Sequence, residues 1–147
     1  MLIEEVRQLD ERGMAAWDQH NADDFAGMFA GEFTLSDPTL PEPLHSTDQV
    51  RQYMETWFTA FPDMHVRSVN RVVSEDAVAA EIEFTGTNTG PFVVGGMEMP
   101  ATGKTVKGGG TYFASVRDGK ITSFSAHPDV VGMMAQLGMM PGTQQSL

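Results

Sequence analysis

The sequence predicts an α+β domain in which N-terminal helices fold over one face of a strongly curved antiparallel sheet, with a pocket between the two layers. Three observations lead there. Apolar residues recur at helical spacing from Ile3 to Phe61, and they alternate with period two from Met64 to His127. Asp-Gly and Gly/Pro-rich stretches break the alternating part into strands. Helices and strands segregated along the chain give an α+β layout, and the concave space between such layers is where small-molecule sites form.

The elements follow in order. Ile3, Val6, Leu9, Met14 and Trp17 form a helical stripe over 3–20. Asn21 is placed as an N-cap, with Asp23 and Asp24 in the first turn of a short helix that carries Phe25, Met28 and Phe29 and stops at Gly31. Residues 32–37 read as a strand with Phe33, Leu35 and Asp37 on one face. Pro38, Pro41 and Pro43 keep 38–45 irregular. Ser46 and Gln49 make a capping box for a third helix, whose stripe runs Val50, Tyr53, Met54, Trp57, Phe58 and Phe61 until Pro62 stops it.

Strands are expected over 64–74 and 77–85, joined through Glu75-Asp76. Residues 86–103, with five glycines and two prolines, read as a hairpin end or flap. Strands 105–116 and 121–127 flank the Asp118-Gly119 turn. Gly108-Gly109-Gly110 marks a bulge or a close approach of backbone. Pro128 suits the first turn of a last helix, Gly138 its end, and 139–147 a frayed tail.

A single domain over 1–147 is expected, since domains hold ~100–150 residues. Nine Lys and Arg against twenty Asp and Glu give a net charge of −11, a poor match for nucleic acid or anionic membranes. The absence of cysteine removes disulfides, thiolate catalysis and Cys-based metal sites. No apolar run nears the ~20 residues of a membrane span, and the first residues show no signal-peptide pattern, so the expected location is cytoplasmic.

Titratable groups on apolar faces carry the chemistry. Asp37 stands where a third apolar residue would be expected after Phe33 and Leu35; it either serves the cavity or caps the turn before Pro38. By parity His127 shares a face with Ile121, Ser123 and Ser125 and points inward near the cavity rim. Asp129 opens the last helix, where a carboxylate also complements the helix dipole. Trp17, Tyr53, Trp57 and Phe61 are candidate ring walls for a substrate, with His20 and His65 beside them. No pair of histidines has helical ligand spacing, so no metal is expected. Arg51, Arg67 and Arg71 read as solvent-facing, which leaves an Asp-Arg-Asp hydrolytic group without an arginine.

Several segments together resemble one family. They are Ser36-Asp37-Pro38, the third helix with its Ala60-Phe61-Pro62-Asp63 ending, Pro100-Ala101-Thr102-Gly103-Lys104, Asp118-Gly119-Lys120-Ile121, and Asp129 through Gly138. In this order they are similar to the SnoaL-like polyketide cyclases of the nuclear transport factor 2-like superfamily. The resemblance implies a cone-shaped α+β roll, an intramolecular aldol condensation without metal or organic cofactor, and a homodimer. It places the general acid/base on Asp129; His127, an addition to the family pattern, and Asp37 are expected to assist. The expected function is thus a cofactor-independent cyclase or isomerase for a small hydrophobic carbonyl compound. A non-catalytic small-molecule binder is the alternative, and epoxide hydrolysis or ketosteroid isomerisation a third.

Overall fold

A computed structural model describes residues 2–139. Helix α1 (Ile3–Asp18) buries Val6 and Ala16 and is followed by the short α2 (Ala22–Ala26). Strand β1 (Phe29–Ser36) leads through the proline loop to α3 (Thr47–Ala60). Then come β2 (His65–Val73), β3 (Ala77–Thr87), the small strands β4 (Phe92–Val94) and β5 (Met97–Met99), β6 (Thr105–Arg117), β7 (Lys120–Pro128) and α4 (Val130–Leu137). No helix among the described residues is long and apolar enough to cross a membrane.

The main sheet is five-stranded and curved, in the order β1-β7-β6-β3-β2. Four of its strands run antiparallel, but β1 pairs with β7 in parallel, a departure from the expected all-antiparallel sheet. Helix α1 crosses β2 and β3, α2 packs on α1 and α3, and α4 lies against β6. The apolar stripes meet the sheet in a core that includes Phe25, Leu35, Met54, Phe61 and Val106.

Local chemistry explains most boundaries. The Ser46 hydroxyl accepts from the Gln49 amide, and the Gln49 side chain returns to the Ser46 N–H, which caps α3 at both orphan donors. Asn21 accepts from the Asp24 amide and starts α2. Asp118 and Gly119 both take positive φ, as the two-residue β6–β7 hairpin requires.

The second helix ends earlier than its pattern implies. It stops at Ala26, and Phe29 and Gly31 already belong to β1, because Phe29 pairs with Ile121 of β7, a contact 92 positions away that no local pattern reveals. Pro128 ends β7 rather than opening α4, whose N-cap is Asp129. Gly138 closes α4 with φ +74°. Of the expected frayed tail, 140–147 lie outside the described residues.

Candidate functional site

A cavity of about 110 Å³ lies between α1, α3 and the inner face of the sheet. Apolar side chains such as Leu9, Phe25, Phe84 and Phe124 make most of its wall. Gly108 and Gly109 supply bare backbone on β6. The glycine run holds no bulge, since β3 and β6 stay in register through it. It serves close approach instead: a Cβ on Gly110 would stand 3.1 Å from Pro128 Cα. The ionisable side chains in the wall are Asp10, Asp37, Tyr53 and Tyr112.

Asp37 is 7% exposed and continues the inward face of Phe33 and Leu35, as the alternation implies. It also caps the turn, because its Oδ1 accepts from the Thr39 amide at 2.7 Å. Oδ2 accepts from the Tyr53 hydroxyl at 2.5 Å. The two readings of Asp37 are therefore not exclusive: one oxygen holds the turn and the other meets a phenol at the cavity wall. Burial pushes the Tyr53 phenol well above the ordinary tyrosine range, and the neighbouring Asp37 charge adds to the rise. A hydrogen bond from Trp57 works against it.

A second carboxylate–phenol pair was not foreseen. Tyr112 donates to Asp10 Oδ1, and Arg71 Nη1 donates to Asp10 Oδ2 at 3.0 Å. The Asp10 side chain is only 6% exposed and that of Arg71 23%, so the expectation of a solvent-facing Arg71 is corrected. Arg71, Ala80 and Tyr112 stand directly opposite one another across β2, β3 and β6, which brings the guanidinium under α1. Burial, with the Asp10 charge second, drives the Tyr112 phenol far above its usual range, and Arg71 opposes the shift. The signal was present: Asp10 is four residues after Val6 and seven before Trp17, on the buried stripe of α1.

His127 and Asp129 are placed differently from expectation. Both are exposed and neither lines the cavity. The cause is one extra residue in β7. Val116 pairs with Ile121 and Ser115 with Ser123, so Thr122 is bulged and the alternation reverses after it. Ile121, Phe124, Ala126 and Pro128 consequently line the cavity, and Ser123, Ser125 and His127 turn to the other face. Asp129 is the N-cap of α4, with Oδ1 accepting from the Gly132 amide at 2.9 Å.

Of the predicted ring walls, Trp17, Tyr53 and Trp57 border the cavity. Trp17 meets Tyr53 edge-on with centroids 5.7 Å apart. Phe61 is fully buried behind this wall, packed on Trp57, Phe84 and Phe92. His20 has φ +58°, bonds the Met64 carbonyl through Nε2 at 2.8 Å and stacks on Phe58, so it fastens the end of α1. His65 is exposed and pairs with Asp18 at 3.0 Å. Neither histidine borders the cavity. Among the described residues no three His, Asp or Glu side chains gather as a metal site would require.

The fold has counterparts among known proteins. A family model described as SnoaL-like polyketide cyclase matches residues 7–137. Among solved structures, AclR of Streptomyces galilaeus, a candidate hydroxylase, is 23% identical with a TM-score of 0.80, covering 97% of this chain and 87% of that one. TsrD of Streptomyces laurentii is 22% identical with a TM-score of 0.80, covering 95% and 99%. A Catenulispora acidiphila protein with a ketosteroid isomerase-like fold, solved with trimethylamine, is 17% identical with a TM-score of 0.74, covering 94% and 97%. At such identities these likenesses establish the fold alone. No curated protein sequence matches the chain.

Proposed function

The chain belongs to the SnoaL-like polyketide cyclase family, and from that premise we propose a cofactor-independent cyclase or isomerase with Asp37 as its general acid/base. The substrate is a small hydrophobic carbonyl compound held in the apolar cavity. The observation that carries this reading is the buried Asp37 carboxylate in a wall that is otherwise nearly apolar, bonded to Tyr53.

The chemistry is proton transfer α to a carbonyl. Asp37 takes the α-proton, and the electron pair of the C–H bond moves into the enolate. The enolate carbon then attacks a second carbonyl of the same molecule and closes a ring, or it is reprotonated at another carbon. In both cases the proton is returned and nothing is oxidised. Tyr53 and the Thr39 amide fix the carboxylate direction, and each oxygen keeps a lone pair for the substrate. The apolar wall excludes water, which strengthens every polar contact at the reacting atoms.

Asp129 supports a second assignment, because Pro128 and Met133 on either side of it border the cavity. There the carboxylate would leave its Gly132 cap to reach the substrate. A binder without catalysis would use the same cavity. Deuterium exchange of acetophenone and 1-indanone in D2O, followed by NMR, separates the three. Asp37→Asn should slow wild-type exchange by about 10²-fold or more, the range of general base catalysis, with Asp129→Asn near wild type. Loss only in Asp129→Asn transfers the role to Asp129. Binding of both ketones without exchange by the wild type refutes catalysis at this site.

A further inference from the structure

A glycine inside a strand weakens it, because the chain loses more freedom on folding and no side chain packs; it marks a place where something approaches the backbone closely. At Gly86 and Gly110 that neighbour belongs to the protein: an added Cβ would lie 3.0 Å from Phe61 Cβ and 3.1 Å from Pro128 Cα. Gly108 has no such neighbour. A Cβ there would meet nothing nearer than Val106 Cγ1 at 3.9 Å, an ordinary contact, and its φ lies outside the left-handed region. The residue is half-buried within β6 and borders the cavity. By alternation from Val106 and Tyr112, both buried, a side chain at 108 would point inward. The backbone on either side is fixed. Lys107 exchanges two hydrogen bonds with the Gln136 side chain of α4, and the Gly109 carbonyl accepts from the Asp129 amide.

We propose that Gly108 is a specificity-determining position: its missing side chain sets how far the end of the ligand remote from Asp37 extends along β6. This rests on the reading that the cavity holds the substrate.

Strand register gives the discrimination its direction. Asp37 follows Ser36, which pairs with Ser125, so it stands near the level of Ala126 and of Tyr112 opposite it. Gly108 is four residues from Tyr112 along β6, about 13 Å at ~3.3 Å per residue. A ligand whose carbonyl meets Asp37 therefore directs its other end towards Gly108. Phe84 stands directly across from Gly108 on β3, and Val66 across from Phe84 on β2. Met133 of α4 borders the same cavity. These side chains are apolar, so what they reward at this end is buried hydrocarbon. The free volume is small, about 110 Å³, and a side chain at 108 would take part of it. The bonds from Lys107 and Gly109 to α4 and its cap keep the strand from moving outward to return that space.

The test is a ladder of 2-alkanones, from 2-butanone to 2-decanone, titrated by calorimetry into the full-length wild type, Gly108→Ala and Gly108→Val. Each methylene buried against an apolar wall strengthens binding about fourfold. The gain stops where the tail reaches the end of the cavity. That break should come about two methylenes earlier in Gly108→Val and about one earlier in Gly108→Ala. The shortest ketones should bind all three proteins alike. Gly108→Ala should melt no lower than the wild type, because the fold does not require the glycine. The same break in all three proteins overturns the proposal. So does an equal weakening along the whole ladder in both variants, or a clear fall in the melting temperature of Gly108→Ala. If Gly108→Val fails to fold, the Gly108→Ala ladder decides alone. A wild type that binds no alkanone removes the substrate cavity and the role of Gly108 together. A shifted break without deuterium exchange of any ketone leaves Gly108 in its role and removes only the acid/base reading.

Discussion

The chain has two tyrosines, Tyr53 and Tyr112, and each is a buried phenol donating to a carboxylate. An alkaline titration therefore reports on the site without background. Both phenols are raised above the ordinary value near 10, by burial first and by the adjacent Asp charge second. A raised folded-state pKa means that the native protein holds the proton where the unfolded chain has released it. The contribution is fully present below pH ~10 and is lost as pH rises from there through the folded values. In that window the unfolded state binds two protons fewer, so stability falls by about 2.7 kcal/mol per pH unit, at about 1.36 kcal/mol per group. Against a typical total of about 5–15 kcal/mol, unfolding and tyrosine ionisation should occur together a few units above pH 10. Absorbance at 295 nm and far-UV circular dichroism, recorded on the same samples, should change in one step. In Tyr53→Phe the slope due to tyrosine should halve, on top of a loss of about 1–3 kcal/mol at pH 7 from leaving Asp37 Oδ2 without its donor. A tyrosine that ionises reversibly near pH 10 with the circular dichroism unchanged would refute the buried pairs.

Other substitutions test the frame. Asp129→Ala should cost about 0.5–2 kcal/mol in chemical denaturation, and Asp129→Asn close to nothing, because Asn caps as well as Asp; equal losses would deny the cap. Gly90→Ala should destabilise by about 1–3 kcal/mol or more, since its Cβ would fall 1.9 Å from the Thr59 carbonyl oxygen; an unchanged melting temperature would contradict that packing. Thr87 donates both its amide and its hydroxyl to Asp63 and holds that carboxyl below its usual range. A depressed folded-state pKa contributes stability at neutral pH that is lost as pH falls below ~4 through the folded value. Melts of wild type and Asp63→Asn between pH 7 and 2.5 should converge in acid. Trp57→Ala should cost about 3–5 kcal/mol, by loss of its contacts with Phe61, Phe84 and Phe92.

The sequence by itself determined what is local. The Ser46–Gln49 box, the Asn21 cap, the Asp118-Gly119 turn and the stripe of α3 each depend on residues a few positions apart, so their chemistry is legible without a fold. The inward face of Asp37 was equally readable, because nothing interrupts the alternation between Phe33 and Asp37. Tertiary structure alone decided the rest. Pairing of Phe29 with Ile121 drew β1 back over what reads as helix. One bulged residue, Thr122, turned His127 outward, and parity counting fails at any such insertion because the period is two. The Asp10–Tyr112–Arg71 group joins residues 61 and 102 positions apart, two of them from strands separated by β3. A charge on an apolar stripe announces that it needs a partner; which partner it finds is settled only when the sheet curls beneath the helix.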